Sequence, residues 1–292
     1  MSVTRPPVDE SLRDAYLRRL GFATPPPATV ATLYAVHRAH LERIPYESVW
    51  VWLGERRTIN PLDSVRYLAS GRGGYCYTQN GALATVLGWL GFTVRWHAGG
   101  VQGHGERPSI DGNHLALTVT NLPTDENPAG EWLIDAGLGD GLHEPLPLRT
   151  GTYTQGPHTY GVRPSEIDPS GWRFDADPGM SLQGMDFLPG DATPADLQKQ
   201  HEHLQSSPKS SFRKTLVVAR RDASGVDILR GCVLKRVDST GETSTELPNA
   251  PEWWSCLADV FNLPLSDVDD ERKKALWNNV TVAHEAWLAR TA

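Results

Sequence analysis

The order of patterns along these 292 residues predicts an α+β fold. Three observations carry the prediction. Helical spacing dominates roughly the first ninety residues. Short alternating runs, broken by Gly, Pro, Asn and Asp, follow from Phe92. Helix then returns among further strands towards the end, so the two kinds of element are segregated rather than interleaved.

Taken in order, Ser11 to Leu20 sets Leu12, Ala15, Tyr16 and Leu20 at helical intervals, with Gly21 as the stop. Pro25, Pro26 and Pro27 force a break, and Thr29 is placed to cap a second helix running to about Arg43. Asp63 to Ala69 reads as a short third helix. A fourth follows Gly71, Gly73 and Gly74, where Leu83, Val86, Leu87 and Leu90 repeat at i, i+3, i+4 and i+7 and Gly91 ends the element. FTVRWHA, HLALTVT and EWLIDA are then strand patterns separated by turn residues. The Gly- and Pro-rich stretch 140–190 is expected to hold only short strands, at Thr152–Gly156 and Gly171–Asp175. Thr193 to Gln205 is helical, LVVAR at 216 and VDILRGCVLKRVD at 226 are strands, and Pro251 to Ala292 is helical again. No repeat, low-complexity tract or flexible linker interrupts this order.

Composition narrows the class. The chain is 39% hydrophobic and 22% charged, as globular proteins are, with a net charge of -7 and scattered basic residues. That excludes nucleic acid or an anionic membrane as the main partner. The N-terminal stretch carries acids and has no apolar run of the kind a signal peptide needs, and no segment approaches the roughly 20 apolar residues of a bilayer span. The three cysteines are odd in number, which favours a reducing compartment. A cytoplasmic protein is expected.

Cys76 has the most telling setting. It lies in GRGGYCYTQN, at the expected start of the fourth helix, where free N–H groups and the dipole favour a thiolate and can serve as an oxyanion hole. Cys232 and Cys256 have no comparable setting. A thiol needs a base, and the base an orienting acceptor. In NHLALTVT the alternation puts His114, Ala116 and Thr118 on one face. If the next strand, Glu131 to Ala136, pairs antiparallel with it, Asp135 falls opposite residue 114 or 116 and shares that face, within reach of His114 Nδ1. Each residue alone also has a structural use, as a buried thiol, a strand histidine bonded to backbone, or a turn aspartate. The set points to nucleophilic catalysis, and leaves transferase, papain-like peptidase and transglutaminase-like chemistry open.

Other signals carry less. His37 and His40, His201 and His203, and the trio His97, His104 and His114 match no zinc spacing, and there is no C-x-x-C, so no metal is expected. Gly137 to Gly141 follows a strand without the spacing of a dinucleotide loop and reads as a turn bordering the site. The ten tryptophans, Trp253 and Trp254 among them, read as packing residues.

At this point a family resemblance appears. RGGYCYTQN resembles the R-G-G-x-C-x-E-x-N signature of arylamine N-acetyltransferases. LRRLGF and HRAHLERIPYESV are similar to that family's N-terminal region with its I-P-F-E-N motif. NHLALTV and WLIDAGLGDG resemble the segments bearing its histidine and its D-V-G-F-G motif, and HLQSSPKSSF resembles its S-P-x-S-x-F segment. The likeness covers residues 15 to 215 in the right order. It implies a helical domain at 1–91 carrying the cysteine, a β-barrel-like domain at 92–200 carrying the histidine and aspartate, and an α/β lid at 201–292, with the triad arranged as in papain. It implies ping-pong transfer of an acetyl or other acyl group from acetyl-CoA, or another acyl-CoA, through Cys76 to an arylamine, hydrazine or related amine. Cys76 would be the nucleophile, His114 its base and Asp135 the residue orienting it. Glu47 and Arg72 match a buried ion pair supporting the cysteine loop. Tyr75, Thr78 and Leu138 would face the substrate pocket. Three positions depart from the family pattern: Thr78 replaces a glutamate, Leu138 an aromatic and Ser48 an asparagine. The first two imply a changed acceptor or donor. An amide synthase on the same fold, drawing its acyl chain from a carrier protein, is the alternative, and a cysteine hydrolase a further one.

Overall fold

A computed structural model of the chain describes residues 6–291; residues 1–5, and Ala292 at the end of the expected last helix, lie outside them. Helix α1 (Glu10–Arg19) begins where the Asp9 carboxylate accepts the Leu12 N–H and ends with Arg18 and Arg19 against the negative end of its dipole. Helix α2 (Val30–Arg43) starts on the Thr29 side chain, as the sequence predicts. Strand β1 (Tyr46–Glu47) and the single turn α3 (Val49–Trp52) come next. Helix α4 (Pro61–Ala69) begins two residues before the expected Asp63, because Asn60 caps it and Pro61 needs no N–H at a first helical position. Helix α5 (Cys76–Trp89) is buried along its whole length. A helix so enclosed must satisfy its own polar side chains internally.

Eight strands follow: β2 (Thr93–Gln102), β3 (His114–Thr120), β4 (Trp132–Ile134), β5 (Leu146–Pro147), β6 (Gly151–Gln155), β7 (His158–Pro164), β8 (Trp172–Asp175) and β9 (Gly184–Phe187). They make one antiparallel sheet in the order β5-β4-β3-β2-β9-β8-β7-β6. The edge strands β5 and β6 are consecutive in the chain, separated only by residues 148–150. That short link draws the edges together, and the sheet curls into a nearly closed barrel. β7 and β9 were not expected from a stretch so rich in turn residues. Neighbours on both sides hold them, β7 between β6 and β8 and β9 between β8 and β2.

Helices α6 (Pro194–Ser206) and α7 (Ser211–Lys214) lead into strands β10 (Val217–Arg221), β11 (Gly225–Arg230), β12 (Val233–Asp238) and β13 (Gly241–Glu246). These strands form a second sheet, which β1 joins at its edge through Tyr46↔Ala219 and Glu47↔Val218. β13 was not expected because all six of its residues are exposed and no alternation marks it. The expected continuous C-terminal helix is broken instead. Helix α8 (Ala250–Ser255) runs into a π-helical turn (Cys256–Val260), and helix α9 (Asp270–Thr291) starts only after an irregular stretch containing Pro264.

One core joins α1, α2, α4 and α5 to Leu115, Leu117 and Val119 of β3. A second surrounds Trp253 between the five-stranded sheet and the C-terminal helices, a packing role as expected for this tryptophan. A third fills the barrel. The start of α5 lies where the first core meets β3, and the candidate site is there.

Candidate active site

Cys76 is the first residue of α5. Helices α1, α2, α4 and α8 each begin on a side-chain cap, from Asp9, Thr29, Asn60 and Asn249, but α5 begins at Tyr75 without one. Its first-turn N–H groups are therefore left for an incoming negative charge. Cys76 is 4% exposed, and its Sγ lies 3.7 Å from the Asn113 carbonyl, the residue before His114.

The register of β3 and β4 pairs Leu117 with Ile134, and one further step sets Asp135 opposite Ala116, the second of the two expected alternatives. Asp135 thus shares a face with His114, and its Oδ2 lies 2.7 Å from His114 Nε2. The nitrogen differs from the Nδ1 that the sequence suggested. With Nε2 committed to Asp135, Nδ1 is the nitrogen left for the neighbouring Cys76 sulfur. Burial opposes charge on this ring, but the bonded Asp135 carboxylate and the adjacent Cys76 sulfur outweigh it and push His114 up to about 10. In the six other buried histidines burial prevails. His37, His40 and His97 are pushed down to about 4, 3 and 4, and His143, His158 and His201 also move down. Among seven buried imidazoles, only His114 is set to hold a proton.

Asp135 is itself held on three sides. Its Oδ1 accepts from Asn80 Nδ2 at 2.8 Å and from the Gly137 N–H at 2.8 Å. Asn80 sits one turn beyond Cys76 on α5, and also donates to the Leu115 carbonyl and accepts the Ala136 N–H. Behind the aspartate, the Asp135 N–H donates to His37 Nε2 at 3.1 Å, while His37 Nδ1–H donates to the His143 carbonyl at 3.0 Å. Gly137 has no room for a side chain, since a Cβ there would lie 2.7 Å from Cys76 Cα. The turn after β4 therefore closes directly onto the cysteine, which bears out its expected place at the border of the site.

A cleft of about 480 Å³ adjoins this group. Leu138, Gly139 and Asp140, next along from Gly137, line one side with Tyr46, Val101 and Glu106. Phe212, Lys214 and Arg230 line the side contributed by residues after 200. Burial, then the charge of Cys76, raise the Tyr46 hydroxyl well above its ordinary value. Among the described residues no cluster of His, Cys, Asp and Glu has the arrangement of a metal site, and no helix is long and apolar enough to cross a membrane.

A family model described as N-acetyltransferase matches residues 29–270. The chain belongs to this family. It is 32% identical to an arylamine N-acetyltransferase of Mycolicibacterium smegmatis over 148 residues, covering 49% of this chain and 52% of that protein. It is 31% identical to the proansamycin X synthase of Amycolatopsis mediterranei over 147 residues, 49% and 54% of the two chains. In these two alignments the chain spans about half the length of its relative. The solved structure of Mycobacterium marinum arylamine N-acetyltransferase in complex with CoA superposes with a TM-score of 0.78 at 25% identity, covering 91% of this chain and 97% of that one. The protein is an acyltransferase of the arylamine N-acetyltransferase type, with that family's α+β fold.

Within this acetyltransferase, several expected residues sit elsewhere than the family pattern implied. Glu47 and Arg72 do not pair. Glu47 Oε1 lies 3.7 Å from Arg57 Nη1, while its Oε2 takes the Val49 N–H at the start of α3. Arg72 goes instead to Glu55 at 2.6 Å and Asp267 at 3.1 Å. The support of the cysteine loop is Arg57, which donates to the Gly73 carbonyl and stacks between Trp50 and Tyr67. Gly73 cannot be larger, because a Cβ would lie 2.3 Å from the Pro45 carbonyl. Of the three expected pocket residues, only Leu138 reaches the cleft. Tyr75 is fully buried, bonded to His201 and packed edge-on against Trp50, Tyr77 and Phe212. Thr78 is 1% exposed and packs on Gly74. Side chains on a buried helix start point into the core unless they flank the opening, which Tyr75 and Thr78 do not. Ser48, the third departure, accepts the Val217 N–H and ties α3 to β10.

Sequence reasoning missed Asn80, His37 and Arg57. Asn80 carried a signal, being one helical turn from Cys76 inside the quoted motif. His37 was weighed only as a metal ligand, and Arg57 lay in a segment with no periodicity.

Proposed function

We propose that this protein transfers an acyl group from acyl-CoA to an arylamine-type amine through a thioester on Cys76. The observation that carries the reading is the grouping of Asp135, His114 and Cys76 at an uncapped helix start, with Asp135 Oδ2 2.7 Å from His114 Nε2. The Cys76 sulfur attacks the donor's thioester carbonyl. The new S–C bond forms as the bond to CoA sulfur breaks, and His114 gives its proton to the departing thiolate. The amine then attacks the Cys76 thioester, His114 takes a proton from its nitrogen, and the amide leaves as the sulfur regains its charge. First-turn N–H groups of α5 stabilise the oxyanion in both halves. Asp135 keeps the ring oriented and its charge compensated.

The test is direct. Incubation with acetyl-CoA and no amine should add one acetyl group at Cys76 by intact mass and peptide mapping, and an arylamine should then discharge it. Cys76→Ala should fold and take no acetyl group; undiminished turnover in that variant rules the mechanism out.

One observation favours a second reading. The likeness to proansamycin X synthase, together with Leu138 on the cleft wall in place of an aromatic side chain, fits an amide synthase that accepts a larger acyl chain from a carrier protein. Acylation of Cys76 by a carrier-bound chain, with none from acetyl-CoA, would select it.

A further inference from the structure

A further departure from the family pattern is Tyr46, which stands where the I-P-F-E-N motif has phenylalanine. It keeps the ring and adds a hydroxyl. Strand β1 fixes its position: Tyr46 bridges Gly74, two residues before Cys76, on one side and pairs with Ala219 on the other. The half-buried side chain lines the catalytic cleft. Five other tyrosine hydroxyls have protein partners, Tyr16 with His40, Tyr75 with His201, and Tyr77, Tyr153 and Tyr160 with backbone carbonyls. That of Tyr46 has none among the described residues. Burial, then the charges of Cys76 and Asp140, keep its proton in place, so it presents a donor to the cleft.

Asp140 lines the same wall. Gly139, the residue before it, lies against the Tyr46 ring, where a Cβ would come within 3.4 Å. Asp140 is 2% exposed; its Oδ2 accepts the Ser181 N–H at 2.7 Å, while its Oδ1 has no partner among the described residues. Arg221, the buried cation of β10, is spent on the carbonyls of Asp222, Gly225 and Gln155. A hydroxyl without an acceptor and a carboxylate oxygen without a donor thus share one wall of the cleft. One ligand group can satisfy both only if it accepts and donates. A carboxylate is repelled by Asp140 and an ammonium has no lone pair for Tyr46; a hydroxyl does both.

We propose that Tyr46 and Asp140 read a hydroxyl group on the acceptor, so that this enzyme prefers arylamines bearing a ring hydroxyl over those without one. The inference rests on the acyl-transfer reading above and narrows its acceptor class. The phenolic oxygen accepts from Tyr46 and donates to Asp140 Oδ1, which leaves the amine of the same ring to face the Cys76 thioester.

The experiment compares 3-aminophenol, aniline and 3-methoxyaniline, whose amines differ little in basicity while only the first carries a group that both accepts and donates. For each, kcat/KM is measured on the full chain with acetyl-CoA, and Kd by ligand-observed NMR without a donor. The wild type should favour 3-aminophenol over the other two by about tenfold or more in both measurements. Tyr46→Phe, which keeps the ring, and Asp140→Asn, which keeps the shape and removes the charge, should each lower that preference about fivefold or more. A wild type that treats 3-aminophenol and aniline alike, or 3-methoxyaniline as well as 3-aminophenol, overturns the proposal. So does a preference that is unchanged in both variants. If acetyl-CoA leaves Cys76 unacetylated, the acyl-CoA reading fails instead, and the Kd values alone decide whether the hydroxyl is read.

Discussion

Asn80→Ala tests how the aspartate is held without touching any member of the triad. The Asn80 amide bonds Asp135 Oδ1 at 2.8 Å, the Leu115 carbonyl at 2.6 Å and the Ala136 N–H at 2.8 Å, and the residue is fully buried. Truncation strands the Ala136 N–H, which costs about 1–3 kcal/mol, and removes a bond to a charged acceptor that contributes about 1.5–3 kcal/mol. Destabilisation of about 3–5 kcal/mol follows, or roughly 6–10 °C in Tm for a chain of this size. The Gly137 N–H still holds one side of the carboxylate. Asp135 therefore stays near His114 but swings more freely, and the imidazole loses its fixed aim at Cys76. A reduction of about 100-fold in kcat/KM is expected, which corresponds to about 2.7 kcal/mol. The assay is acetylation of an arylamine at a temperature where circular dichroism shows the variant folded. Thr85→Ala is the control, since among the described residues the Thr85 hydroxyl bonds only the Gly81 carbonyl of its own helix. Asn80→Ala with kcat/KM within about twofold of wild type would refute the reasoning, because the aspartate would then need no lateral support.

Four further outcomes are expected. His37→Phe removes the acceptor behind the Asp135 N–H and should lower kcat about tenfold, with part of the loss recovered in His37→Gln, which restores an acceptor; equal losses in the two would refute a positioning role. His114 should give the ¹⁵N shifts of an imidazolium at pH 8, and a neutral ring there would refute its pairing with Asp135. Because its folded value of about 10 lies above the ordinary 6.5, its stabilising contribution is complete below pH 6.5 and is lost as pH rises through 10. His37, His40 and His97 act in the opposite sense: they are neutral when folded, with values of about 4, 3 and 4, so the stability they contribute is present above pH 6.5 and falls away between there and about pH 3. Urea midpoints across that range measure it, and a flat profile would contradict the burial of these rings. Finally, Arg57→Met should cost about 3 kcal/mol by leaving Glu47 buried without a cation, and Arg72→Met only about 1 kcal/mol, because its partners Glu55 and Asp267 are partly exposed. The reverse order would restore the Glu47–Arg72 pairing that the sequence suggested.

What the sequence determined by itself was whatever local chemistry dictates. Thr29 and the prolines at 25–27 place a helix start, the leucines of α5 define its period, and Cys76 at the head of that helix announces itself through the glycines before it. Alternation in HLALTVT was enough to put His114 and Asp135 on one face, because strand period and antiparallel pairing leave only two registers. Family likeness then supplied the chemistry. The tertiary structure alone decided matters that depend on residues far apart in the chain. Which imidazole nitrogen meets Asp135, and that His37 closes the back of the site, follow from how α2 packs behind β4. That Arg57 rather than Arg72 serves Glu47 depends on where α3 and the loop after it come to rest. The polar strand β13 carries no alternation of its own, and β7 and β9 lie in a stretch dominated by turn residues, so all three were hidden until neighbouring strands supplied their hydrogen bonds. The ionisation of each histidine was illegible for the same reason, since burial and partners set it and every imidazole is chemically identical until the chain folds around it.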